Sequence, residues 1–324
     1  MPLRTLVTQK SRNVSTPRSI AFAAGVSATL GMTIVFFSTS ALTLAAGIAL
    51  AGLSTGLTSP PLATAVSLRF HEANRPKANA IINAGTAVGI VCSGTASLVA
   101  FGEGRDAYLL FSVVSCAVTG WVFHSIPARR EQATAGPFSF ALLRRPGLVS
   151  LCISSFLMGL SSTAIWTFGG GLLRDEFDFT EQHIAWAWIA LGLAGMAGST
   201  TGLLVQRFGL ARVHRLSIMG IAAGTAGLSL TSLSAVAGFV SVAVFGAAYI
   251  VSSGAYLIQG IKLLADRPDL GLGIPFLVLA LGQSSGAPLF GAVIKHQGMV
   301  VALATFSGLA LLASLVRPRQ LVGS

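Results

Sequence analysis

Charge is what this sequence has least of. Lys, Arg, Asp and Glu make up 10% of its 324 residues, where soluble domains carry roughly 25%. A water-soluble fold of this length needs a charged surface, and twenty-one basic plus ten acidic residues do not make one. The scarcity excludes a soluble globular domain and makes lipid the solvent for most of the surface. Carboxylates are missing from every long apolar run, so those runs hold no acidic proton relay. Cysteine is scarce as well. Cys92, Cys116 and Cys152 lie far apart inside apolar runs, with no metal-ligand spacing to histidine. They read as small apolar residues, and neither a metal nor a cofactor is expected. Residues 1–19 lack a short apolar core with a small-residue cleavage site, so they do not read as a cleaved signal peptide.

What is abundant is apolar sequence, 53% of the chain, with a mean hydropathy of +0.78. It falls into ten runs: 20–38, 41–67, 78–101, 107–126, 147–171, 183–205, 216–233, 235–261, 270–294 and 299–316. Every Lys, Arg, Asp and Glu lies outside them. Runs of about 20 residues suit helices that cross a bilayer, and barrel strands would alternate over about 10. In hydrocarbon each backbone N–H and C=O must pair within its own helix. The expected fold is therefore all-α: a polytopic membrane helix bundle with about ten transmembrane helices.

A net charge of +11 raises the question of nucleic acid. That function needs basic residues gathered on one face, whereas here they form short clusters between apolar runs, so nucleic acid is not an expected partner. All but Arg105, Arg174 and Lys295 of the twenty-one basic residues fall on one side of the ten-span arrangement. Basic loops stay in the cytoplasm, which predicts both termini inside, in a multi-pass protein of the cell's inner (cytoplasmic) membrane.

The chain also repeats itself. Arg75-Pro76 follows the second run and Arg267-Pro268 the eighth, each with a glycine nineteen residues on, Gly94 and Gly286. Runs one to four thus resemble runs seven to ten, and runs five and six have no earlier counterpart. The predicted organisation is an N-terminal bundle over 1–126 with four spans and an incomplete half, a cytoplasmic linker over 127–146, and a six-span C-terminal bundle over 147–324. Parallel repeats of six spans build one large class of carriers, and the simplest expectation is a six-plus-six protein without its first two helices.

At four places the residues resemble the major facilitator superfamily, in particular bacterial efflux-permease-like members. Gly202-Leu-Leu-Val-Gln206-Arg207-Phe208-Gly209-Leu-Ala-Arg212 is similar to the family's loop motif G-x-x-x-D-R-x-G-x-x-R. Pro17-Arg18 with Ile20 to Gly25 resembles the tail of the same motif in the first half. Asn83-Ala-Gly85-Thr-Ala-Val-Gly89 to Gly94 resembles the glycine-rich fifth family helix, and Gly282-Gln283-Ser-Ser-Gly286-Ala-Pro288-Leu-Phe-Gly291 the eleventh. The chain departs from the family pattern in carrying Gln206 where the motif usually has Asp, and Thr95 where many antiporters have Pro.

The resemblance implies a secondary transporter that moves a small organic solute, with efflux as the family's leaning and a coupling proton as its usual partner. It implies a gate at Gly202, Gln206, Arg207, Gly209 and Arg212, against the plainer reading of a basic loop that anchors topology. Gly85, Gly89, Gly94, Gly282, Gly286 and Gly291 are expected to pack helices closely or let them slide. Asn83, Ser162, Trp166, Tyr249 and Gln283 are the candidates for the solute cavity. A buried amide in lipid must pair or meet water, so Asn83 and Gln283 read equally well as interhelical hydrogen bonds. Trp186 and Trp188 read as belt residues at the outer interface. His183 and His124 fall at span ends, and His71, His214 and His296 in loops. Two other function classes stand beside transport: a truncated, non-transporting remnant of such a carrier, and a membrane-embedded enzyme or sensor. The second has only the acidic stretch Asp175–Glu181 for support.

Overall fold

The computed structural model describes residues 17–71, 74–99, 106–126 and 144–316, and these form helices and turns with no strand among them. The helices are α1 (Pro17–Phe37), α2 (Ala41–Arg69), α3 (Arg75–Val99), α4 (Asp106–Ser125), α5 (Leu148–Trp166) and α6 (Gly169–Asp175). They continue with α7 (Glu181–Gly195), α8 (Thr201–Phe208), α9 (Leu210–Gly227), α10 (Ala235–Leu263), α11 (Pro268–Gln297) and α12 (Met299–Leu315). Two rods are interrupted. α5 passes into α6 through Thr167 and Phe168, and α7 reaches α8 through a 3-10 segment at Met196–Thr200. Glycine has the weakest helix propensity apart from proline, and Gly195 and Gly198 sit where α7 tightens. Counted as rods, the helices match the ten expected spans. Seven are long and apolar enough to cross a membrane by length and composition, and Ala41–Ser54 and Met299–Leu315 are shorter apolar helices. α9 belongs to neither group because its first two turns carry Arg212, His214 and Arg215.

The repeat is visible in the helix ends. α2 and α10 are each 29 residues long and each starts after a serine cap. Ser40 Oγ accepts from the Thr43 N–H at 3.2 Å, and Ser234 Oγ from the Val236 N–H at 3.2 Å, satisfying donors that a helix start leaves open. The helices that follow, α3 and α11, both begin at an Arg-Pro pair, where proline's fixed φ and missing N–H fit a first turn.

α1 packs against α2 and α4, α5 against α11 and α12, and α10 against α7, α9 and α11. The α1–α4 contact is a hydroxyl ladder: Thr29 Oγ1 donates to Ser115 Oγ at 3.0 Å, and Thr33 and Ser112 share a 2.6 Å bond. α3 packs mainly on α7 and α10 and touches α2 and α4 little. The deep core gathers on α5, α9, α10 and α12, around Met158, Ile165, Ile218, Ile221, Phe245 and Phe306. Across the most apolar eighteen residues of Leu148–Asp175, 67% are buried, against 11% across those of Ile81–Val99, so α3 has most of its circumference unpartnered. Large side chains such as Leu42, Trp121, Leu233 and Leu315 stand in the open. Apolar exposure on this scale marks a lipid-facing surface. The chain is a multi-pass membrane protein.

Three expectations need correction. His214 and His296 are not in loops: His214 lies in the second turn of α9 and is 2% exposed, and His296 is in the last turn of α11. The seventh span was expected to begin at 216, but its helix begins at Leu210, because the basic residues ride on the first two turns of the helix rather than ahead of it. Trp188 is not a belt residue: it packs, partly buried, against the deep core. Most of the expected linker, residues 127–143, lies outside the described residues, as do Arg105, the chain before Pro17 and Arg317–Ser324.

Candidate functional site

α5, α7, α10 and α11 converge on a group of aromatic and uncharged polar side chains. Ser162 and Trp166 come from α5, one turn apart, Tyr249 from α10 and Gln283 from α11. Gln283 Nε2 donates to the Tyr249 hydroxyl at 3.2 Å and to Ser162 Oγ at 3.3 Å. The Gln283 backbone carbonyl accepts from Thr163 Oγ1 at 3.3 Å, which ties α11 to α5 a second time. Close approach makes this possible. A methyl group on Gly282 would collide with the Phe156 carbonyl, and one on Gly286 with Thr163 and the Leu160 carbonyl. Small residues let helix backbones meet in lipid, where interhelical hydrogen bonds contribute about 0.6 kcal/mol each and at most about 1.7.

The aromatic side of the group centres on Trp166. Trp188 stacks on it with planes 5° apart and centroids 6.0 Å apart. Tyr249 and Phe245 meet it edge-on at 5.1 and 5.7 Å. The group mixes half-buried side chains, Trp166, Trp188, Tyr249 and Gln283, with the fully buried Ser162 and Phe245. It holds no ionised side chain. Flat rings with a few fixed hydrogen-bonding groups are what a site for an uncharged, planar, amphipathic solute requires.

Four of the five expected cavity residues thus come together, and the fifth does not. Asn83 on α3 donates from Nδ2 to the Ile250 carbonyl of α10 at 3.1 Å, and Ser253 Oγ donates to Asn83 Oδ1 at 3.4 Å. Its amide is used in a contact between helices. Sequence reasoning missed Phe245, although it lies one turn from Tyr249 on the same helix face. It also missed that Trp188 reaches the site, because position in an apolar run gives depth and not direction.

The stretch from Gly202 to Arg212 is two helix ends joined at a single residue. Gly209 has φ +81°, in the left-handed region, and separates α8 from α9. Gln206, Arg207 and Arg212 are exposed, and the Arg207 guanidinium lies over the Phe208 ring at 5.3 Å. A methyl on Gly202 would meet open space, so close backbone approach is not the reason for glycine there. Gly94 stands against Ile189 and the Ala185 carbonyl on α7, while Gly291 has only ordinary contact with Phe168. Gly85 and Gly89 have open space in front of them, and the packing expected of them is absent. The glycines that do bring α3 and α7 together are Gly94 and, from the other helix, Gly192, where a methyl would meet Val91 and the Ala87 carbonyl.

At the arginine-rich end, Arg145 before α5 holds Asp266 between α10 and α11 through two bonds of 2.5 and 2.6 Å. That hydrogen-bonded guanidinium holds the Asp266 carboxyl down at about 2. Among the described residues the other ion pair is Arg174 with Glu181, at 2.6 Å, and neither pair involves the motif arginines.

Ten helical rods, most of them apolar, with an uncharged polar-aromatic group where four of them meet, define a class, the helical membrane carriers. The family model described as Major Facilitator Superfamily matches residues 13–287. The chain belongs to the Major Facilitator Superfamily, a family of membrane transporters rather than enzymes. Among curated relatives, the chain is 24% identical over 251 residues to the purine ribonucleoside efflux pump NepI of Salmonella typhimurium, covering 74% of this chain and 62% of the pump. It is 28% identical over 154 residues to the transcription regulatory protein OpdE of Pseudomonas aeruginosa, covering 45% of this chain and 38% of that protein. The chain thus spans less than two thirds of the length of either relative. Among solved structures it resembles the human organic anion transporter MFSD10 (TETRAN), with a TM-score of 0.72 at 16% identity, over 93% of this chain and 77% of that one. At that identity the likeness establishes the fold.

Proposed function

We propose that this chain is a secondary transporter that exports a small, uncharged, planar amphipathic solute across the cytoplasmic membrane, and that the group around Trp166 and Gln283 binds it. One observation carries the reading: stacked indoles and a bridging amide, with no ionised group, line the meeting point of four helices. A purine ribonucleoside has the matching chemistry, a flat heteroaromatic ring with hydrogen-bonding edges and no charge, and the efflux pump NepI is among the relatives. Export and the nucleoside class rest on that similarity together with the site's chemistry.

In this reading residues 1–126 and 147–324 form the two moving bundles. The α3–α7 contact at Gly94 and Gly192 is where they slide. Gly202, Gln206, Arg207, Gly209 and Arg212 form the gate at the arginine-rich end, and that end, with both termini, faces the cytoplasm. Gly209 supplies the tight turn and Arg207 the cation of the gate. Gln206 accepts hydrogen bonds without bringing a negative charge to it.

The test is equilibrium binding to purified protein in nanodiscs, read by tryptophan fluorescence during titration with a purine ribonucleoside. Saturable quenching that disappears in Trp166→Leu supports the site. Quenching that survives this substitution places the solute elsewhere. No response to nucleosides or to a broad panel of uncharged heteroaromatics removes the proposed site.

A further inference from the structure

His214 is the one buried histidine; His71, His124, His183 and His296 are exposed. It lies at the arginine-rich end of α9 and takes no part in the group around Trp166. The residues around it come from three other helices. Its Nε2 lies 3.3 Å from Ser154 Oγ of α5, and Ser154 Oγ lies 2.8 Å from the Tyr256 hydroxyl of α10. The Tyr256 ring packs against the imidazole with centroids 5.6 Å apart. Ser252, one turn earlier on α10, stands beside the Tyr256 hydroxyl. At the end of α12, the carbonyls of Ala313 and of Val316, the residue after the helix, lie beside the imidazole, although Nδ1 makes no well-formed hydrogen bond. Ser154 and Tyr256 are themselves 2% and 1% exposed.

The groups facing His214 are therefore a serine from α5, a tyrosine from α10 and main-chain carbonyls from α12, with Arg215 its neighbour on α9. The facing helices bring no carboxylate to it. We propose that His214 is a proton-binding site, and that the Ser252–Tyr256–Ser154 hydroxyl chain and the end of α12 are arranged to accommodate both of its charge states. In the neutral state Nε2 is an acceptor. Ser154 donates to it, and Tyr256 donates to Ser154. When one proton binds at Nε2, each hydrogen bond reverses by rotation of a hydroxyl. Nε2–H then donates to Ser154, Ser154 to Tyr256 and Tyr256 to Ser252. No bond between heavy atoms changes, and the only species added is the proton.

An imidazolium needs an acceptor for each of its two N–H groups. The second acceptor is the end of α12, where the Ala313 carbonyl accepts the Val316 N–H at 3.2 Å and keeps a second lone pair, and where the helix end carries partial negative charge that favours a cation. A buried histidine serving only as packing would need no reversible hydroxyl chain. The site joins α5, α9, α10 and α12, so its charge state acts on the packing of four helices at once. Its effect on flux rests on the transport reading, but the proton site itself does not.

The experiment reads protonation directly. Protein labelled with 15N in its histidine rings is placed in nanodiscs and followed by NMR from about pH 8 to about pH 5, the range in which histidine changes charge. His214 is assigned by the signal lost in His214→Gln. If that variant does not fold, single substitutions of the four exposed histidines give the assignment by elimination. The expected result is a reversible change from the neutral to the doubly protonated ring pattern. Ser154→Ala and Tyr256→Phe should each move its midpoint by about half a unit or more while the exposed histidines stay put. A ring that remains neutral throughout the range overturns the proposal. So does a midpoint that neither substitution moves. Flux measured on the same samples separates the two readings: a titrating His214 in a protein that moves no solute leaves the proton site standing and removes transport.

Discussion

Trp166 and Trp188 lie almost plane to plane, 5° apart in tilt and 6.0 Å between centroids, and so fasten α5 to α7 beside Tyr249 and Gln283. Aromatic pairs contribute about 0.5–1.5 kcal/mol beyond the area they bury. Trp188→Ala removes the brace without touching the polar groups, and solute binding should weaken by about two- to tenfold. Trp188→Phe should recover most of the loss. Isothermal titration of the three proteins checks both. Unchanged affinity in Trp188→Ala would mean that Trp166 needs no support.

Gln283 bridges Tyr249 and Ser162, so its effect should depend on Tyr249. Gln283→Leu leaves two hydroxyls without their amide, and Tyr249→Phe takes away one of them. A double-mutant cycle on solute affinity should give a coupling of about 0.5–1.5 kcal/mol. Independent effects of the two substitutions would dissolve the bridge as a functional unit. Gln283→Glu places a charge among aromatic rings and half-buried helices, and its thermal stability should fall below that of Gln283→Leu.

The α3–α7 contact makes a covalent test available. A methyl built on Gly192 would lie 2.7 Å from Val91 Cγ2 and 2.8 Å from the Val91 nitrogen. With Cys92, Cys116 and Cys152 replaced by alanine, the pair Val91→Cys and Gly192→Cys should form a disulfide under mild oxidation. Flux should stop when the bond forms and return on reduction. Failure to cross-link would contradict the packing, and full flux in the cross-linked protein would contradict sliding at this contact.

The Arg145–Asp266 pair predicts a pH signature in stability. Its carboxyl is held at about 2, below its usual 3.8, by the guanidinium that hydrogen-bonds it. A group whose folded value is depressed stabilises the fold above its unfolded value and loses that contribution as pH falls through the folded one. Asp266→Asn should therefore lower the unfolding temperature by a constant amount above about pH 4, with the difference closing toward about pH 2. The pair is exposed and salt will screen it, so the measurement belongs at low ionic strength. Parallel stability curves for the two proteins down to pH 2 would show that the pair contributes nothing.

The rods were legible because lipid enforces a simple rule: charges flank a span and apolar residues fill it. That rule misplaced the start of α9, where Arg212, His214 and Arg215 ride on helical turns instead of preceding them. It could not reveal the breaks at Thr167–Phe168 and Met196–Thr200, since apolar composition runs straight through both. Ser162, Trp166, Tyr249 and Gln283 could be singled out because aromatic and polar residues at mid-span are costly and few. The direction each one faces depends on packing, which is why Asn83 turns to Ile250 instead, why Trp188 looked like a belt residue, and why Gly85 and Gly89 face open space. The group of His214, Ser154 and Tyr256 draws single residues from three helices, and no spacing within one segment signals it.

Movement of solute through the site at Trp166 and Gln283 can be followed by counterflow. Proteoliposomes are loaded with unlabelled purine ribonucleoside and diluted into a trace of labelled nucleoside. The native chain should give a transient internal accumulation of label, lost in a Trp166→Leu/Gln283→Leu protein that still inserts and folds. Label uptake no greater than in protein-free liposomes, or undiminished in that double variant, would contradict movement through that site.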